Sequence, residues 1–342
     1  MEKWDIGTMQ QFRGRGSAAE LGLREGEEVQ WSRREDPAKY VAESGLVDAV
    51  NVSLLLGMPL LLTGDPGTGK TQLAERIAFE MGLGKVLKFE TKSTTESQDV
   101  FYDFDMVGRL AAAQAREDID PRRFITYRAL GEAFLLANHY QDIVNFLPLP
   151  LPDGRMGFKN DGPRRTVVLI DEIDKASRDF PNDLLNEVEL NYFRLRPLKN
   201  EEIRPLRGFE PILVITSNSE KQLPDPFLRR CIYYHIKFPG RDTLAEIVVS
   251  RMGDVFINRQ VLVDAVDFFI FLRRRLQRQP TTAELLRWIE ALRAKGADVS
   301  TGLRSQGELC LSTAGVLCKN PEDQKSIDAA FDEWRKASQQ HE

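Results

Sequence analysis

Gly64, Asp65, Pro66, Gly67, Thr68, Gly69, Lys70 and Thr71 leave this chain less conformational freedom than any other stretch. They fit G-x-x-x-x-G-K-[ST] at every position, follow the apolar run 59–63, and open a stretch of helical periodicity at 70–81. A strand entering a glycine turn that becomes a helix points backbone N–H groups inward and adds the positive end of the helix dipole. That arrangement cradles phosphate groups. The Lys70 ammonium is expected at the β- and γ-phosphates of a bound nucleotide, and the Thr71 hydroxyl on its Mg²⁺.

The rest of the chain supplies a frame for such a loop. Short apolar runs at 86–89, 166–170, 212–216 and 233–238 join the one at 59–63, with helical stretches between them. Continuous apolar runs suit strands covered on both faces. The expected fold is α/β, a doubly wound core on a five-stranded, mostly parallel sheet. After Gly240 the runs at 244–252, 261–276, 283–292 and 326–337 have helical spacing, which predicts a small all-helical domain at 241–342. Residues 1–36 form a polar arm, 37–56 a helix, and 37–240 the nucleotide-binding domain, with an insertion at about 97–160.

Two further strand ends carry polar residues. The run 166–170 ends in Asp171 and Glu172, which places both carboxylates at the carboxyl edge of a parallel sheet, beside the glycine turn. Asp171 is the expected Mg²⁺ partner through water, and Glu172 the general base for an attacking water. Asp174 is read as a helix-terminal charge. The run 212–216 leads to Asn218, suited to holding the water or feeling the γ-phosphate. Arg229 and Arg230, just before the fifth strand, suit charge-stabilising fingers for a neighbouring subunit's nucleotide, or an ordinary surface pair.

Composition narrows the function. A net charge of −5 gives no global field toward nucleic acid or an anionic membrane. The longest apolar run, 54–62, contains Gly57 and Pro59 and is too short to span a bilayer. The 3 cysteines, Cys231, Cys310 and Cys318, form no C-x-x-C pair, so neither a disulfide framework nor a zinc site is read, and a reducing cytoplasm fits. No guanine-reading N-K-x-D stands out, which makes ATP the expected nucleotide.

In this order the pieces resemble the AAA+ ATPases, and within them the MoxR-like group, over about residues 37–325. GDPGTGKT resembles Walker A, VVLIDEIDKA Walker B, and ITSNSEK sensor 1 with Asn218 in the sensing position. LPDPFLRRC resembles the arginine-finger segment, with Arg230 the better match and Arg229 the near alternative. The segment 311–323 looks like part of that group's lid. The resemblance implies a P-loop NTPase core with a helical lid, assembled as a homo-oligomer, usually a hexameric ring. It also implies a chaperone-like remodelling role on a protein partner, often one carrying a von Willebrand factor A domain, and sometimes a place in a multi-component bacterial conflict system. A nucleotide-gated switch controlling a nuclease or effector, and a nucleic-acid-stimulated motor, are the alternatives, though no basic stripe favours the second. One departure concerns sensor 2: Thr281 stands where an arginine is expected, and neither Arg278 nor Arg287 matches cleanly.

Three stretches stay outside the motifs. Phe101, Tyr102 and Phe104, with Phe134, Leu135 and Leu136, suit packing of the insertion onto the core or, alternatively, a grip on substrate at a ring pore. Alternation over 191–206 predicts a β-hairpin turning at 199–202. Arg273, Arg274, Arg275 and Arg278 read as a solvated helix face rather than a nucleic-acid contact.

Overall fold

The computed structural model describes residues 13–16, 36–149, 158, 160–218, 223–252, 259–298 and 301–337. Most of the predicted arm, residues 150–157 and 159 of the insertion, and 219–222 after Asn218 lie outside them.

The chain makes a short turn at Pro37–Lys39 and then α1 (Ser44–Leu56), which Gly57 ends in the left-handed conformation. The helix expected over 37–56 is therefore split. Tyr40 is extended, and the Asp36 and Lys39 carbonyls at the two ends of the turn accept from the side chains of Arg251 and Ser250. β1 (Leu60–Thr63) leads into the glycine loop and α2 (Lys70–Glu80), followed by β2 (Leu87–Glu90). The insertion adds β3 (Tyr102–Phe104), α3 (Met106–Gln114), β4 (Ile125–Tyr127), α4 (Ala129–Leu136) and the single turn α5 (Tyr140–Ile143). Then come β5 (Val167–Asp171), α6 (Phe180–Glu189), β6 (Phe193–Leu195), β7 (Glu201–Ile203), β8 (Ile212–Thr216), α7 (Asp225–Leu228) and β9 (Ile232–His235). The remainder is helical: α8 (Arg241–Met252), α9 (Arg259–Arg273), α10 (Thr282–Ala294), α11 (Gly307–Thr313) and α12 (Pro321–Ala337).

β2, β5, β8, β1 and β9 lie side by side in that order, and every pairing is parallel. The central strands β5, β8 and β1 are buried almost throughout, whereas the edge strands β2 and β9 alternate. This is the exposure that helices on both faces of a parallel sheet impose. The register Leu62↔Thr216 and Ile170↔Ile215 brings the carboxyl ends of β1, β8 and β5 level with one another. This is the five-stranded parallel sheet that the sequence predicts, with a helical C-terminal region after it.

Two compact units result. One comprises 1–31, 42–64 and 70–236; the other comprises 32–41, 65–69 and 237–342. In the first, α2 buries Leu73, Ala74, Ile77 and Ala78, the face its periodicity predicts. Its Arg76 and Glu80 form a fully buried ion pair at 3.1 Å. The short segment 13–16 lies against that pair: Glu80 accepts the Arg13 N–H, and Arg76 donates to the Gly16 carbonyl at 2.9 Å.

The insertion aromatics pack inward. Phe101 stacks on Phe193 with ring centres 4.9 Å apart and meets Phe134 edge-on at 5.9 Å. Tyr102, Leu135 and Leu136 are also buried, while Met106, Val107 and Leu110 on α3 are exposed. β6 and β7 form the expected hairpin, but it turns earlier than 199–202. Arg196–Leu198 is a helical turn, Lys199 and Asn200 take positive φ, and Glu201 and Glu202 already belong to β7. Glu202 pairs across the strands with Arg194 at 2.9 Å, and Glu201 is in register with Leu195.

The second unit is built around Phe268, Trp288, Phe331 and Trp334, with the Trp288 indole N–H donating to Thr313 at 2.9 Å. α12 starts five residues earlier than its apolar spacing indicates, because Asn320 caps it by accepting the Asp323 N–H at 2.7 Å. Cys231, Cys310 and Cys318 are free and buried, and burial pushes their thiols up to about 12, 12 and 11. Among the described residues, no helix is long and apolar enough to cross a membrane.

Candidate nucleotide site

Three adjacent strand ends carry the predicted groups. At the end of β1 the backbone turns through Gly64, Gly67 and Gly69, whose φ angles of 136°, 78° and 89° only glycine adopts readily. Lys70, at the start of α2, is buried and donates from Nζ to the Gly64 carbonyl at 2.6 Å, so the ammonium is folded back over its own loop. The crest, residues 65–69, has its own internal bond from the Thr68 hydroxyl to the Asp65 carbonyl at 2.9 Å.

The Thr71 hydroxyl lies 3.2 and 3.3 Å from the two carboxylate oxygens of Asp171. α2 and β5 therefore bring to one point the two oxygen groups that sequence spacing assigns to Mg²⁺. Two residues that sequence reading missed complete the surroundings of Asp171. Thr216, at the end of β8, donates to Asp171 Oδ1 at 2.5 Å. Lys88 of β2 reaches Asp171 Oδ2 at 3.0 Å and Glu90 at 2.9 Å. Partial burial works against the charge on Lys88, but its two carboxylate partners hold the ammonium above its ordinary range. The signals were faint: a threonine in an apolar run, and a lysine on a short strand two residues before the one in register with Asp171.

Glu172 takes φ 57° and ψ 51°, left-handed for a residue with a side chain. Such a conformation costs on the order of 1–3 kcal/mol and persists only where surroundings enforce it. Here its N–H donates to the Thr216 hydroxyl at 2.9 Å, so a single hydroxyl fixes both Asp171 and Glu172. Its carboxylate is held from two sides. Asn218 Nδ2 donates to Oε1 at 3.2 Å, and Lys175 pairs with Oε2. That pairing with Glu172 holds the Lys175 ammonium above its ordinary range. Asp174, given only a helix-terminal role by the sequence, accepts the Asn218 N–H at 3.0 Å and so places the asparagine.

The arginines stand apart from this group. Arg230 bonds to Asn186 at 2.9 Å and Glu189 at 3.1 Å, both on α6, and Arg229 is exposed. Neither contacts Asp171, Glu172 or Asn218 among the described residues. The expected solvated face holds for Arg274, Arg275 and Arg278, which are exposed, and fails for Arg273. Arg273 is only 12% exposed and pairs with Asp65 of the glycine loop at 2.8 Å, Arg275 pairs with Glu333, and Arg278 pairs with Glu284 at 2.8 Å. Apolar periodicity cannot register such contacts, because each joins residues remote in sequence or on a helix end.

The residues fit Mg²⁺ by donor chemistry. One hydroxyl and one carboxylate converge, and Mg²⁺ is usually held by one or two protein oxygens plus substrate phosphates. Among the described residues, no group of three or more His, Cys, Asp or Glu side chains forms a separate metal site.

Nucleoside-triphosphatase THEP1 of Aquifex aeolicus (strain VF5) is 24% identical over 184 residues, which cover 49% of this chain and 96% of that protein. Among solved structures, the Thermotoga maritima RuvB Holliday junction branch migration motor matches with 17% identity and a TM-score of 0.42, over 81% of this chain and 67% of that one. A point mutant of the same RuvB matches at 17% identity and a TM-score of 0.47, over 86% and 75%. The family profile of the AAA domain (dynein-related subfamily) matches residues 59–231, just over half of the chain, from the strand before the glycine loop to the cysteine after the paired arginines. The chain belongs to that family, the AAA domains of the dynein-related subfamily.

Proposed function

We propose that this protein is an oligomeric, MoxR-like ATPase that binds and hydrolyses ATP·Mg²⁺ to remodel or activate a partner protein. The observation that carries the reading is the meeting of Thr71 and Asp171 at 3.2 Å, beside a Glu172 whose carboxylate is already hydrogen-bonded by Asn218. In this reading residues 37–240 form the nucleotide-binding domain and 241–342 the helical lid. Gly64, Asp65, Pro66, Gly67, Thr68 and Gly69 wrap the phosphates with backbone N–H groups, and Lys70 leaves the Gly64 carbonyl for the β- and γ-phosphates. Thr71 and Asp171 hold Mg²⁺, which neutralises charge on the phosphate oxygens when bound. Glu172 accepts a proton from the attacking water, Asn218 holds that water in place, and Arg230 (or its neighbour Arg229) serves the next subunit's nucleotide.

The test uses two variants of the full chain. Lys70→Ala should abolish nucleotide binding, whereas Glu172→Gln should keep binding and stop turnover. Equal hydrolysis by Glu172→Gln and the parent protein would remove Glu172 as the base.

A second reading is favoured by one observation. Both carboxylate oxygens of Glu172 are occupied, by Asn218 and Lys175, which suits a slow, nucleotide-gated switch that controls an effector. Activation of a partner by a non-hydrolysable ATP analogue supports it, and strict dependence on hydrolysis rejects it.

A further inference from the structure

Arg273 ends α9 in a setting unlike that of its neighbours. Its guanidinium carbon lies 3.5 Å from the centre of the Phe238 ring, and Nη1 donates to the Pro280 carbonyl at 2.6 Å. Nη2 is left aimed at Asp65, whose carboxylate it meets at 2.8 Å. A planar guanidinium stacked on an aromatic face and bonded through both ends is fixed in direction. Burial pushes its pKa down, but a guanidinium stays charged at any physiological pH.

All of these residues belong to the second compact unit, as does the loop crest 65–69. Two more of its residues border the crest. A Cβ on Gly67 would lie 2.5 Å from the Thr281 Cβ, and one on Gly69 would lie 3.1 Å from the Tyr40 ring. Thr281 is itself fixed as the N-cap of α10 by reciprocal bonds with Glu284.

The electrostatics give Arg273 a task. Asp65 puts a negative charge in a loop whose form suits phosphate, and like charges a few ångströms apart repel even where one of them is half exposed. We propose that Arg273 is a positioning residue for the phosphate loop: it neutralises Asp65 and sets the crest before nucleotide arrives. The role rests on the nucleotide-binding reading above, and falls at a position that neither the Walker nor the sensor resemblance covers.

Equilibrium binding of fluorescent ATP and ADP analogues, together with steady-state turnover, tests it. Arg273→Gln removes the guanidinium that pairs with Asp65 and should weaken both nucleotides by about tenfold, with KM rising and kcat at saturation little changed. Adding Asp65→Asn to Arg273→Gln removes the carboxylate charge and should recover most of the loss. Rescue by the second substitution is a result that a purely structural Arg273 does not give. Parent-like affinity in Arg273→Gln, absence of rescue, or a loss confined to kcat and to ATP would each overturn the assignment. Should Arg273→Gln not fold, Phe238→Leu removes the ring on which the guanidinium stacks and should weaken both nucleotides alike, and parent-like affinity there overturns it equally. A parent protein that binds neither nucleotide refutes the nucleotide reading itself, whereas binding that is indifferent to Arg273 refutes only this role.

Discussion

Thr216 and Asp171, the last residues of adjacent strands, share a hydrogen bond of 2.5 Å, and the same threonine oxygen accepts the Glu172 N–H. Thr216→Val keeps the shape and deletes both bonds. Leaving a largely buried donor without a partner costs about 1–3 kcal/mol, and the left-handed Glu172 loses the contact that fixes it. Turnover is expected to fall about tenfold or more while nucleotide affinity changes little, and Thr216→Ser should restore both. Steady-state hydrolysis beside a binding isotherm checks this. Parent-like turnover in Thr216→Val would show that Glu172 is positioned some other way.

Arg230 is tied to α6 in the isolated chain, through Asn186 and Glu189, so its proposed action on a second subunit requires exchanging those partners for phosphate. Arg230→Ala is expected to cut turnover by about a thousandfold, with ATP affinity per subunit nearly intact. Mixing Arg230→Ala subunits with Glu172→Gln subunits should restore activity, because each supplies what the other lacks across an interface. Mixtures as inactive as their components would place the arginine's role within its own subunit. The same experiment on Arg229→Ala separates the two candidates.

Glu284 links the Thr281 cap to acid stability. Its partial burial opposes ionisation, but bonds from the Thr281 backbone and hydroxyl and from Arg278 hold its carboxyl below the ordinary value of 4.5. A depressed carboxyl contributes stability that is present above its ordinary value and is lost as pH falls through the folded one. Glu284→Gln should cost about 1 kcal/mol near neutral pH and flatten the acid limb of the stability curve. An unchanged acid limb, measured by denaturant melts across pH, would mean that the charge on Glu284 does not stabilise the cap.

Much of the frame could be read from residues alone, for physical reasons. The runs that became β1, β5 and β8 are apolar without alternation because both faces are covered. The glycine loop is legible because positive φ and phosphate approach admit few residue types. Other parts were illegible because they depend on register. Lys88 and Thr216 acquire meaning only once β2 and β8 are seen to flank β5. Arg273 looked solvated because its partners, Phe238, Pro280 and Asp65, are contiguous with it only in space. The hairpin turn was misplaced because Glu201 and Glu202 look like loop residues until the Arg194 opposite Glu202 is known.

The three buried thiols carry a practical consequence. Only the thiolate reacts at an appreciable rate with alkylating reagents, and at thiol pKa values near 11 and 12 almost none exists in the folded chain. Modification therefore has to wait for the backbone around each sulfur to open. Cys231 sits in one compact unit, and Cys310 and Cys318 in the other. The chain thus has a native chronometer in each half, and the order in which a maleimide pulse marks them reports which half loosens first.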